Sequence, residues 1–210
     1  MMSWWFYDLV KRLFWIFFRL GFGLEVYGAE HVPTVGPCIL ASNHISFLDP
    51  PLLGAACSRR LCFMARASLF RHPLLGAFMR GVHVIPIARG EADLGAIREA
   101  VRRLHQGDVV AIFPEGGRQR SGERGHAKRG VGLLALTAQA PIIPVLVTGT
   151  REALPPDARW LHRAKIRVAF GTQIPYTKFS LSSSRSQHEQ LAEAITQQWH
   201  RLEEQLHERR

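Results

Sequence analysis

Three cysteines in 210 residues are too few, and too irregularly placed, to build a cysteine scaffold. Cys38, Cys57 and Cys62 lie in or beside apolar runs without C-x-x-C spacing, and an odd count argues against a closed disulfide set. They read as reduced core residues of a cytoplasmic protein. The ten histidines form no H-E-x-x-H or comparable ligand pattern, so no metal is expected. There is no internal repeat. Acidic residues are scarce, 17 against 27 Lys and Arg, which leaves a net charge of +10. Such a balance calls for a negatively charged partner: nucleic acid, an anionic membrane surface or a phosphorylated substrate. Neither an RNA-recognition signature nor zinc-finger spacing is present, and the arginines are spread along the chain instead of forming a basic tail, so nucleic acid is not an expected partner. The length suits one domain that buries roughly 70% of the surface its unfolded chain exposes.

A long uninterrupted apolar run is also missing. The first 24 residues carry nine aromatics, but charges at Asp8, Lys11, Arg12 and Arg19 break what would otherwise approach the about 20 apolar residues of a transmembrane helix. No basic start or small-residue cleavage site marks a signal peptide. On a helical projection the four charged residues share one arc about 100° wide, with Trp15 among them and the other aromatics mostly outside it. Residues 1–23 are therefore expected to form an amphipathic helix in the headgroup layer, with rings inserted and cations against anionic lipid. The alternative is an N-terminal helix packed on the domain core.

Along the rest of the chain, short apolar runs alternate with helical periods. Strands are expected at 24–27, 38–41, 82–87, 109–113, 142–147 and 166–170, with a further apolar run at 61–65. Helices are expected at 51–56, 68–80, 92–105 and 131–139. This alternation predicts an α/β domain over 24–179, a mixed, largely parallel sheet flanked by helices. A Ser-rich linker then leads, within 180–210, to a C-terminal helix with Leu191, Ile195, Trp199, Leu202 and Leu206 at helical spacing.

Two blocks directly follow predicted strands, where ligands gather in such folds. In Asn43-His44-Ile45-Ser46-Phe47-Leu48-Asp49, the His and Asp are five residues apart, which is not a helix-face pair. Pro50 and Pro51 push Asp49 into a turn that opens a helix, from which its carboxylate can fold back on His44. A carboxylate on one ring nitrogen fixes the tautomer, and the other nitrogen serves as a general base. The competing reading makes Asp49 an ordinary N-cap and His44 a structural histidine. In Phe113-Pro114-Glu115-Gly116-Gly117-Arg118, the glycines allow a sharp turn with exposed amides, and Arg118 offers a planar fork for phosphate or carboxylate. Arg120, Arg124, Lys128 and Arg129 follow, just before a helix start, and together suggest an anion site. Arg89, after the Val84–Ala88 run, is a further candidate cation.

Asn43-His44-x-Ser46-x-x-Asp49, the strand ending in Arg89, Phe113-Pro114-Glu115-Gly116-x-Arg118 and Ile143-Pro144-Val145 resemble, in order and approximate spacing, the blocks of the glycerolipid acyltransferase family, particularly the lysophosphatidic acid acyltransferases. The similarity covers roughly residues 24–177. It implies transfer of an acyl group from coenzyme A or acyl carrier protein to a hydroxyl of a glycerophosphate lipid at the cytoplasmic face of a membrane, the thioester being a co-substrate and no other cofactor being needed. By the resemblance His44 is the base and Asp49 its orienting partner. Arg89, Glu115, Gly116, Gly117 and Arg118 fall in substrate-binding blocks, with Lys128 a phosphate contact and Pro144 in a segment linked to the acyl donor or site architecture. Three positions depart from the family pattern: Gly117 where threonine is usual, Gln119 where serine is frequent, and Ala88 where an acidic residue is common. These bear on the acceptor, and leave open another lysolipid, such as a lyso-ornithine lipid, or a noncatalytic lipid-binding module of the same fold.

Overall fold

The computed structural model of the chain describes residues 4–88, 93–119, 125–179 and 184–209. Its strands are β1 (Glu25–Tyr27), β2 (Cys38–Ser42), β3 (Leu61–Arg66), β4 (Ile85–Ile87), β5 (Val109–Ile112), β6 (Ile142–Thr148) and β7 (Arg167–Phe170). They form one sheet in the order β1-β7-β6-β2-β5-β3-β4. The block from β6 to β4 is parallel throughout, whereas β7 runs antiparallel to β6 and parallel to β1. The expected mixed, largely parallel sheet is present.

The helices are α1 (Trp4–Phe22), α2 (Asp49–Ala56), α3 (Pro73–Gly81), α4 (Leu94–His105), α5 (Gly130–Ala138), α6 (Thr150–Ala153) and α7 (Ser184–Glu208). The strands read as continuous apolar runs because both faces are covered. In β2, Ile39 and Ala41 belong to one core cluster with Ala100, Leu104, Leu134 and Trp199 from α4, α5 and α7, while Cys38 and Leu40 belong to a second with Phe18, Leu52 and Leu53 from α1 and α2. The same two-sided burial explains why β7 is buried at three successive residues rather than alternately. All three cysteines are free and buried, and burial pushes the Cys38 and Cys62 thiols up to about 12.

One expected element is subdivided and one helix is added. The stretch 68–80 is not one helix: a 3-10 turn over Ala67–Arg71 is followed by α3, because His72 precedes Pro73 and is held extended. After β6, α6 is an additional short helix whose first residue reaches the candidate site. The C-terminal helix belongs to the core. Leu191, Ile195, Trp199, Leu202 and Leu206 are all buried, and the Trp199 indole donates to the Ala41 carbonyl of β2 at 3.1 Å. Gly132 lets α5 approach α7 closely, since a Cβ there would lie 2.7 Å from the His188 backbone.

Helix α1 is held on the domain by one face. Tyr7, Phe18 and Phe22 are buried, and the Tyr7 hydroxyl accepts the Leu61 N–H at 2.9 Å. Much of its charge is turned inward or sideways. Lys11 donates to the carbonyls of Cys57, Ser58 and Arg59 at the end of α2, Asp8 pairs with Arg60, and Arg19 donates to the Leu24 carbonyl. The exposed side carries an apolar arc, with Trp5, Leu9, Leu13, Ile16 and Leu20 spaced by three or four residues, flanked by the exposed Asp8, Arg12 and Arg19. Leu69, Leu74 and Phe78 are also exposed, and Phe78 meets Phe6 of α1 edge-on. Among the described residues no helix is long and apolar enough to cross a membrane.

Candidate active site

Strand β2 lies between β5 and β6 and is the fourth of the seven strands, so its carboxyl end is at the centre of the sheet edge. Asn43 extends the β2–β6 ladder by one step with its side chain, donating to the Val147 carbonyl at 3.0 Å and accepting the Val147 N–H at 2.7 Å. The next residue is His44. The chain then turns back, and α2 opens at Asp49 with prolines in its first turn, as Pro50 and Pro51 require.

The turn brings the pair together. His44 Nδ1 lies 2.8 Å from Asp49 Oδ2, with the aspartate side chain fully buried and the imidazole 16% exposed. The same oxygen accepts the N–H groups of Ile45 and Ser46, both at 2.7 Å. The other oxygen, Oδ1, accepts the hydroxyl of Thr150 at 2.6 Å. All four contacts to this buried side chain come from groups able to donate. Because a carboxylate only accepts, Nδ1 is assigned as the protonated nitrogen. Among the described residues Nε2 has no hydrogen-bond partner, and the ring stacks on Phe113 with centroids 4.2 Å apart. Ser46 is buried, and its hydroxyl accepts the Leu48 N–H, so it serves the turn.

The second block closes over the first. The His44 N–H donates to Glu115 Oε1 at 2.9 Å, and its carbonyl accepts the Gln119 N–H at 2.9 Å. Glu115 is thus turned inward and buried, and burial pushes its carboxyl above the ordinary range, against the opposing donors from His44, Gln119 and Gly125. Gly116 takes the left-handed conformation, and a Cβ there would lie 2.8 Å from Lys128 Nζ, which places the ammonium over this turn. Arg118 lays its guanidinium on the exposed Phe47 ring, 3.4 Å from the centroid. Arg89, Arg120 and Arg124 lie outside the described residues. Among the described residues no group of three His, Cys, Asp or Glu converges in a metal-binding arrangement.

Three contributors escaped the sequence reading. Arg66 ends β3, and its guanidinium lies 3.7 Å from where a Gly117 Cβ would stand, so it joins the Gly117 loop. Arg151 donates to the Gln119 carbonyl at 3.4 Å. Thr150 completes the coordination of Asp49. A strand-terminal arginine does hint at a ligand at the carboxyl edge of the sheet, but Thr150 carries no signal of its own.

The arrangement thus presents a carboxylate-oriented imidazole, its Nε2 unbonded among the described residues, beside a glycine turn ringed by Arg66, Arg118 and Lys128. A family profile described as Acyltransferase matches residues 23–148. The chain is 26% identical over 185 residues to a 1-acyl-sn-glycerol-3-phosphate acyltransferase of Bacillus subtilis, covering 88% of this chain and 90% of that protein. It is 33% identical over 142 residues to the protein of the same name from Limnanthes douglasii, covering 66% of this chain but 49% of that one. It thus spans nearly all of the bacterial relative and about half of the plant one. The fold is similar to the crystal structure of the 1-acyl-sn-glycerophosphate (LPA) acyltransferase of Thermotoga maritima, with a TM-score of 0.70 at 23% identity, covering 90% of this chain and 76% of that one. On the family profile and these relatives, this chain belongs to the Acyltransferase family and is an enzyme of the O-acyltransferase class.

Proposed function

We propose that the enzyme transfers a fatty acyl group from a thioester of coenzyme A or acyl carrier protein to the free hydroxyl of a lysophosphatidic acid, a step of phospholipid synthesis. The supporting observation is the 2.8 Å His44–Asp49 contact beside the cationic glycine turn. An alcohol is a weak nucleophile at neutral pH. His44 Nε2 takes the acceptor hydroxyl proton as that oxygen attacks the thioester carbonyl, the C–S bond breaks, and the departing sulfur recovers the proton from the imidazolium. A positioned base of this kind contributes roughly 10²- to 10⁴-fold. The carboxylate holds the tautomer and stabilises the imidazolium. No covalent enzyme intermediate is required. Arg118 and Lys128, with Arg66 beside them, offer cations for the acceptor phosphate, and Arg89 joins them by the resemblance.

The acceptor is also the membrane lipid, which gives the apolar arc of α1 a purpose. Leu9, Leu13, Ile16 and Leu20 insert into the leaflet, while Tyr7, Phe18 and Phe22 tie the helix to the catalytic domain. Excess positive charge favours anionic lipid. The cytoplasmic face suits a thioester-using protein with reduced thiols.

A second reading, another lysolipid as acceptor, is favoured by Gly117, which supplies no hydroxyl to the loop. Acyl transfer from labelled acyl-coenzyme A and acyl carrier protein to a panel of lysophosphatidic acid, lyso-ornithine lipid and other lysophospholipids decides between them. The first reading requires lysophosphatidic acid to be the best acceptor. Faster transfer to a non-phosphatidic acceptor overturns it.

A further inference from the structure

We infer that Thr150 is a positioning residue for the His44–Asp49 pair, setting the rotation of the Asp49 carboxylate. This rests on His44 acting as the base. Three of the four donors to Asp49, His44 Nδ1 and the N–H groups of Ile45 and Ser46, converge on Oδ2. They fix one point. The terminal torsion of an aspartate is broad, and rotation about Cβ–Cγ moves both oxygens together, so a donor on Oδ1 restrains that same rotation from the opposite side. Among the described residues Oδ1 is held by the Thr150 hydroxyl alone, at 2.6 Å, and both residues are fully buried. Because the aspartate is an acceptor, the hydroxyl is the donor, and its proton has no competing solvent.

The backbone is built to deliver this hydroxyl. Strand β6 ends at Thr148, and Gly149 turns left-handed with φ 84°. A Cβ on Gly149 would collide with the Lys165 carbonyl, so the turn admits glycine and directs Thr150 back over the sheet edge. Asn43 anchors the same end of β6 to β2 through Val147, so both partners of the contact sit on one locked pair of strands. If the carboxylate swings, the imidazole swings with it, and Nε2 leaves its line to the acceptor hydroxyl. A misplacement of about 1 Å costs on the order of 100-fold in rate.

The test compares Thr150→Val, Thr150→Ser, Thr150→Ala and His44→Ala in acyl transfer, with nitrogen NMR of the histidine rings. Thr150→Val is expected to lower kcat by about 10- to 100-fold with little change in KM for either substrate. Thr150→Ser should recover most of that loss, and the His44 ring, a single Nδ1–H tautomer in the natural protein, should become a mixture in Thr150→Val. If the valine variant does not fold, the alanine and serine variants carry the test, with alanine slow and serine fast. Natural kcat in Thr150→Val or Thr150→Ala beside an inactive His44→Ala overturns the role of Thr150 and leaves the base intact. A loss in KM that serine fails to rescue overturns it as well. An active His44→Ala instead overturns the underlying assignment of the base.

Discussion

The carboxylate of Glu115 accepts the backbone N–H of His44 at 2.9 Å, so the glycine-arginine loop grips the backbone of the residue that carries the imidazole. Burial raises the Glu115 carboxyl above its ordinary value, which means the folded protein holds this proton more tightly than the unfolded chain. The associated stability is therefore complete below the ordinary carboxylate range and is lost as pH rises through the raised value. A Glu115→Gln variant has no such proton to lose. Thermal unfolding of both proteins from pH 4 to pH 7 should show the natural protein losing ground to the variant as pH rises. A constant difference across that range would contradict the raised carboxyl.

Replacing Asp49 with Asn keeps the shape but turns a donor, or a weaker acceptor, toward groups that all donate. The expected cost is about 1 to 3 kcal/mol of stability for the mismatched buried group, together with a loss of roughly 10²- to 10⁴-fold in kcat from the wrong imidazole tautomer. Urea unfolding and steady-state transfer, measured on the same preparation, check both. A folded variant with natural kcat would remove Asp49 from the account.

Leu13 and Leu20 are exposed on α1 and contribute little to packing in the isolated protein. Changing both to Glu should leave the melting temperature nearly unchanged. In the leaflet, full burial of one leucine is worth about 1.5 to 3 kcal/mol, so sedimentation with anionic vesicles should weaken by at least about tenfold. Unchanged vesicle binding with an intact fold would place the membrane contact elsewhere.

Much of this design is visible in the chain. Two-sided burial leaves consecutive apolar residues in β2, β5 and β6, and the Pro50-Pro51 pair announces the turn that folds Asp49 back on His44. What the sequence hides is long-range or directional. Thr150 lies 101 residues from Asp49 and looks like any threonine after a strand until β6 is laid beside β2. Arg66 at a strand end hints at a ligand, but only the order β5-β3 brings it to the Gly117 loop. The helical projection of α1 finds a charged arc and an apolar one but cannot say which meets the domain. Tyr7 and Lys11 decide that, through Leu61 and the end of α2.

The most direct test is acceptor-dependent release of free thiol from acyl-coenzyme A, or from acyl carrier protein where that is the donor, by purified His44→Ala. The variant should melt close to the natural protein, bind vesicles equally well, and release thiol at least about 10²-fold more slowly at saturating acceptor. Near-natural thiol release by the folded variant would contradict the assignment of His44 as the base.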